Sequence, residues 1–525
     1  ANCAESATSV RISGFRIGGS VQGYSAITTS INNAGQAFFA ATVTGPGVGS
    51  GILSARIIRR EPDGRFTILA EPGMPVSGLA GATLGAGSSL FLPSAYRALY
   101  EDGSLLLHTY VSLPGNSGTT RAYVCANGTS VTALMVDGQE VPDSGGRTFL
   151  TEVTPYPHLS RSGCAAAIRA SEMSGTTSLG EGIWEVAAGQ SLALIGRRGA
   201  QAPGLPSGIT FGPDYTPPSY ANQNYRRVEY GVSPSGYSMV QSYLEGDGVR
   251  RNPDGDALPL NNAALWFRTP SGEMTLLARR GDPVPGIPGA YFNLLGARLY
   301  YAGAPGVQPW SQFQAWTLNS QGRFAFIASL TDGTTDLTST INGSSIWSNR
   351  SGTLRLEARA FERFVDVATG QEWQLRGTGI TSNGQKGVIL DDSGTLYYSG
   401  YGYRVGIDPI NLVTPARRLL IEHKADGTRR VLVWEGQALP AFDINSIGSS
   451  FVSNFFVSNR SNVLFTSAAR YGGAAPGNGT GVFMYRNNTL RSIGRIGDAL
   501  SALGGIALDP YSVYITFQAN SLGQY

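Results

Sequence analysis

The sequence predicts an all-β protein, a seven-bladed β-propeller built from seven degenerate repeats of about 60–86 residues. Three observations predict it. A turn followed by an apolar strand recurs along the whole chain. Each recurrence carries a second, hairpin-like half. Gly is 70 of 525 residues, Pro 28, and charged residues only 14%, which is too apolar for disorder and too rich in glycine for helices.

The clearest copy of the turn-and-strand runs from Leu318 to Leu330, with a turn at Asn319–Gly322 and then Arg-Phe-Ala-Phe-Ile-Ala-Ser-Leu. Asn and Gly tolerate positive φ and suit the turn. The unbroken apolar run suits a strand covered on both faces. Asn32-Asn33-Ala34-Gly35 opens nearly the same string, and weaker copies begin at Tyr100, Ser160, Ser233, Thr381, Asn459 and Asn520. The turn glycines, with Asn462 replacing one, fall at 35, 103, 163, 236, 322, 384, 462 and 523. Units of that length are whole supersecondary elements, so the chain reads as one repeat array.

The second half is a hairpin such as Ala264-Leu265-Trp266, Pro270-Ser271-Gly272 and Met274–Arg279, with the turn signal between two strands. A Pro/Gly loop follows, then a short irregular strand such as Tyr291–Leu295, counted here as the fourth strand of its own repeat. Four antiparallel strands repeated seven times make a propeller. Small residues such as Ala40, Ala41, Ala165 and Ala328 suit converging strands, so the strands after the turns are expected to be innermost. Residues 29–510 are assigned to the seven repeats and 1–28 to an N-terminal segment with an outer strand. Residues 511–525 are read as a closing or strand-donating segment.

The Asn-x-x-Gly-x-x-Ala-Phe string, joined to Ala-Arg-Arg-Gly-Asp-Pro-Val-Pro-Gly at 278–286, resembles the bacterial tandem repeats named after that string. The resemblance is good in the first, fourth and fifth repeats and loose over most of the rest. It implies an exported, often surface-anchored protein and a propeller-like array, and it brings no catalytic residues with it. The start at Ala1, without Met, fits a mature secreted chain. No apolar run reaches the ~18 residues that span a bilayer. The net charge of +3 points to no nucleic acid, and the near absence of lysine (Lys386 and Lys424) leaves Arg as the basic residue.

Chemistry is sparse. His108, His158 and His423 share no motif, and no nucleophile elbow, zinc helix or phosphate loop stands in credible context. A sialidase-like site would require an arginine cluster with an acid–tyrosine pair, and the sequence singles out no three arginines. Asp247, Asp254 and Asp256 are hard oxygen ligands on one insertion, a Ca²⁺ candidate and the one cofactor the sequence suggests. Arg197, Arg198, Arg279, Arg280 and Arg495 recur between a strand and a Pro/Gly loop, a pattern suited to planar anions such as acidic polysaccharide. Cys125 and Cys164 lie in strands of neighbouring repeats and are expected to be bridged, leaving Cys3 over; pairings of Cys3 with either remain open.

The leading expectation is therefore an exported, non-enzymatic surface or extracellular-matrix scaffold. Its partners would be other copies of itself, joined through terminal strands, or surface polysaccharide. The alternative is a carbohydrate-binding, lectin-like or carbohydrate-active propeller.

Overall fold

Asn319 shows why the repeated turn forms. Its Oδ1 accepts the backbone N–H of Gln321 at 3.0 Å and of Arg323 at 2.9 Å, closing an Asx-type turn. Gly322 completes that turn at φ 76°. A Cβ there would lie 2.7 Å from the Tyr237 ring, so glycine is needed for close approach as well as for φ. The Nδ2 of Asn319 then donates to the carbonyl of Asp391, 72 residues on, at 3.0 Å. Asn32 repeats the arrangement, donating to the Tyr100 carbonyl at 2.9 Å. The repeated Asn is thus a clip from one turn to the next.

The protein, seen in a computed structural model, is described over residues 11–15, 30–32, 34–44, 55–85, 97–116, 118–128, 130–142, 144–157, 163–212, 229–233, 235–250, 261–295, 316–332, 343–378, 387–408, 416–439, 444–448, 455–457, 463–471, 477–486, 489–495, 499–500 and 506–507. Every regular element there is a strand. Seven sheets of four to six strands follow one another in chain order, with a small two-stranded sheet after them. They are the blades of a seven-bladed β-propeller. The first three sheets belong to one compact unit and the last four to another.

The fifth sheet is representative. Its order is Tyr291–Leu295, Phe324–Thr331, Gly343–Ser348, Arg355–Arg359, with Trp316–Leu318 also paired to Phe324–Thr331. Two expectations change here. The strand after each turn pairs on both sides, so it holds second place and is not innermost, because an innermost blade strand is an edge. The strand after each Pro/Gly loop joins the following sheet: Tyr291–Leu295 runs from the fourth repeat into the fifth sheet, antiparallel to Phe324–Thr331. Arg11–Phe15 takes the same place in the first sheet, pairing with Ala37–Thr44.

The described turn of the sixth sheet is Asp391–Gly394, with Gly394 at φ 85°. The expected turn at Thr381–Gly384 and those at 459–462 and 520–523 lie outside the described residues.

Consecutive sheets within each unit pack face to face, and the period of two in a strand explains the unbroken apolar runs. Leu105 and Leu107 enter the core against the first sheet, while Leu106, between them, enters the core against the third. The fully buried Phe326 and Trp347 join the core shared by the fourth and fifth sheets, each burial contributing about 1.5–3 kcal/mol.

In all seven sheets the outer hairpin carries a β-bulge at the same ladder position. The extra residue is Leu69, Leu134, Ile195, Leu277, Leu432 and Ile493 in six of them. In the fifth it is Glu357. A bulge re-aims a side chain, and here a carboxylate stands where every other blade has an aliphatic.

Candidate functional site

The recurring basic pair is best defined at Arg279 and Arg280, where Met274–Arg279 ends. The backbone turns on Gly281 at φ 83°. Gly281 N–H donates to the Phe292 carbonyl at 2.7 Å, and Phe292 N–H returns to that of Asp282 at 3.0 Å. This fixes the Pro283–Tyr291 loop against the strand that follows.

Arg279 Nε donates to the Asn261 carbonyl at 2.9 Å. Arg280 Nη1 and Nη2 donate to the amide oxygens of Asn262 at 3.3 Å and Asn293 at 3.1 Å. Both guanidinium groups are half-buried, and among the described residues neither is ion-paired to a carboxylate. Burial pulls Arg280 below the usual guanidinium range. Burial likewise raises the Asp282 carboxyl, with the nearby Arg279 charge opposing. The adjoining loop lines an open hollow of about 310 Å³ formed by Pro283, Val284, Gly286, Ile287 and Tyr291. Cation, acid, aromatic and concavity therefore share one segment, a recognisable site pattern.

The other expected positions are dispersed. Arg197 Nη1 lies 3.8 Å from Glu172, which Arg147 also holds at 2.9 Å. Arg198 is exposed. Arg495 pairs through its backbone with Gly481, and its side chain lies outside the described residues. Asp247 sits exposed in a turn, while Asp254 and Asp256 lie outside the described residues; among those that are described, no group of three metal-ligating side chains forms. Cys125 and Cys164 are joined in a disulfide, closing a separation of 39 residues.

A second cluster lies between the fifth and sixth sheets, and sequence reasoning missed it. Arg350 Nη2 binds Glu357 Oε2 at 2.7 Å and its Nε binds Oε1 at 3.1 Å. Its Nη1 donates to the His423 carbonyl at 2.7 Å and to that of Gly394 at 3.1 Å. Ser348 and Arg355 also donate to Glu357 Oε1. Arg429 Nη2 donates to the Glu357 carbonyl at 2.7 Å and to Glu362 at 2.9 Å. Tyr398, fully buried, stands edge-on to His423.

Three arginines, two acids, a histidine and a tyrosine are thus collected, and the arginines and acids are turned on one another. Burial, with the Arg429 and Arg350 charges, lowers His423 to about 2. Burial raises Tyr398 to about 12. Neither side chain exchanges protons near neutral pH. The residues span 80 positions, from Arg350 to Arg429, so no local motif announces them. The one legible signal is Glu357 in Leu-Glu-Ala, where the first repeat reads Ile-Leu-Ala and the fourth Leu-Leu-Ala.

Fold and site together define a β-propeller with a cationic loop set beside an open hollow. The chain belongs to a family of unknown function (DUF7453), whose model matches residues 31–303 and again 302–524. No curated protein matches the sequence. Among solved structures it is similar to a polysaccharide lyase, at 10% identity over 90% of this chain and 94% of that one, with TM-score 0.35. It is also similar to an α-L-arabinofuranosidase from Fusarium graminearum, at 9% identity over 77% and 90%, TM-score 0.25. A third is an α-L-arabinanase from Penicillium chrysogenum, at 10% identity over 75% and 94%, TM-score 0.25. The expectation of a protein without enzymatic activity is corrected here: these similar propellers all bear the names of enzymes, although likeness at this level concerns the fold and assigns no reaction.

Proposed function

We propose that this chain is an exported, carbohydrate-active propeller that holds an acidic polysaccharide at Arg279–Tyr291. The observation that carries the reading is the pair of adjacent guanidiniums held by amide and carbonyl oxygens in place of carboxylates. Such a pair keeps its positive charge available, and a planar anion such as a uronate carboxylate or a sulfate matches its geometry. Tyr291 and the proline-lined hollow beside it supply an apolar surface for a sugar ring. For turnover the segment offers Asp282, whose raised pKa suits proton donation. The Cys125–Cys164 disulfide supports an oxidising, exported setting, which the resemblance of the repeats also implies.

Affinity electrophoresis in gels containing polygalacturonate, dextran sulfate or neutral dextran tests the proposal, with reducing-end release followed in parallel. Retardation by the acidic polymers, weakened at least tenfold in the Arg279→Ala/Arg280→Ala double variant, is the expected result. Equal retardation by neutral dextran, or an unchanged double variant, would overturn it.

A further inference from the structure

The family model matches the chain twice, and the ladders show what the two matches share. The first and second sheets correspond to the fifth and sixth. Each pair carries the same Asn clip between turns, Asn32 to Tyr100 and Asn319 to Asp391. Each also has its outermost strand met in parallel by an upstream segment, Val76 beside Val131 and Asp366 beside Arg429. Counting from the bulges and the turn glycines puts Leu69 opposite Glu357, Leu107 opposite Tyr398, Ala126 opposite His423, Val131 opposite Arg429 and Val76 opposite Asp366.

In the first pair those five residues all belong to one apolar core and are at most 3% exposed. In the second pair all five are polar, and four remain buried: Glu357 4%, Tyr398 0%, His423 4% and Asp366 2% exposed. The seam therefore needs no polar side chain at these positions in order to fold. Buried ion networks seldom stabilise more than apolar residues of similar volume, so packing alone leaves the second set unexplained.

The second set also leaves hydrogen-bonding capacity unused. Tyr398 Oη, His423 Nδ1 and Arg429 Nη1 are buried without partners. His423 Nε2 stands 3.1 Å from Arg350 Nη2. A guanidinium only donates, so Nε2 accepts and Nδ1 carries the proton. Glu357 Oε2, at 3.9 Å from Nδ1, is beyond hydrogen-bond reach. The three unused groups are then an N–H of a cation, an N–H of an imidazole and a phenol O–H, all donors in one seam. What they lack in common is an acceptor.

We propose that the seam between the fifth and sixth sheets is a binding site for a small carboxylate, held by Tyr398 Oη, His423 Nδ1 and Arg429 Nη1. A carboxylate offers about four lone-pair sites, enough for all three donors. Arg429 is shared between this ligand and Glu362, to which its Nη2 donates. The seam is separate from Arg279–Tyr291 and stands or falls without it.

The test is thermal unfolding of the full chain in sodium acetate against sodium chloride at matched pH and ionic strength. A ligand that binds only the folded state raises the midpoint with concentration. Acetate is expected to raise it where chloride does not. Tyr398→Phe, which removes one oxygen, should weaken the apparent acetate affinity at least tenfold, and Tyr398→Leu, the residue of the first half, should do the same. Arg280→Ala should retain the full acetate effect. An identical response to acetate and chloride, or an unchanged acetate response in both Tyr398 variants, overturns the proposal. So does a single ordered water bridging the three donors with no acetate dependence.

Discussion

Replacing Asn319 by Ala removes three hydrogen bonds at once: two that close its own turn and one that reaches the Asp391 carbonyl. Asn319 is 3% exposed, so the groups it leaves are poorly served by water. Losing buried partners costs about 1–3 kcal/mol for each group left unsatisfied, and a loss of about 2–4 kcal/mol in chemical denaturation is expected. His108 works the other way. It is 3% exposed, stacked on Tyr123, and neither ring nitrogen has a partner. Burial lowers its pKa to about 4, with the Arg121 charge adding to the effect. A histidine depressed in the folded state binds its proton more readily when unfolded. Stability therefore falls as pH drops through about 6.5 and levels off near 4. The loss at pH 5 is about 2 kcal/mol. His108→Phe keeps the stacking and removes both nitrogens. Its denaturation midpoint should exceed that of the parent chain at pH 5, by a margin that shrinks at pH 8; an equal margin at both pH values would show that His108 does not titrate in this way.

At the scale of strands, the local signals were legible and the partnerships were not. Asn, Gly and an apolar run mark a turn and a covered strand because φ preference and burial act on neighbouring residues, and Asn319–Gly322 with Phe324–Thr331 follow that pattern. Sheet order is decided by pairing across long separations, so the sequence puts Tyr291–Leu295 in the repeat that precedes it, whereas its partner strand comes after it. The same limit hid the Arg350–Glu357–His423 cluster, whose members meet only when two sheets pack. The basic pair at Arg279 and Arg280 was readable because it is contiguous. The bridge between Cys125 and Cys164 is expected from two strand positions, whereas only Cys125 lies in a strand and Cys164 stands just before the third sheet. Closing a separation of 39 residues should stabilise by about 4 kcal/mol in the chain-entropy picture. Reduction should lower the unfolding midpoint accordingly. Thiol labelling of the denatured, unreduced chain should modify one cysteine of three, and labelling of all three would contradict the bridge.

For the whole molecule, the pairing of Arg11–Phe15 decides whether that strand can join copies. Assembly through terminal strands requires a strand with free hydrogen-bonding groups, since an unpaired edge is what another copy could extend. Arg11–Phe15 is already engaged within the chain, paired with Ala41–Thr44 in the first sheet. It also fills the place that Tyr291–Leu295 fills in the fifth sheet, beside the strand that follows the turn. Removing residues 1–20 would therefore uncover the backbone of Ala41–Thr44. A bare edge destabilises its sheet and recruits other chains without a fixed register. The truncated protein is expected to unfold at lower temperature and to give polydisperse aggregates by light scattering and electron microscopy. A strand that served only to link copies would behave differently: its removal would convert ordered polymers to monomers and leave the unfolding temperature in place. A truncated chain as stable and monodisperse as the parent would rule out the covering role, because Ala41–Thr44 would then tolerate exposure.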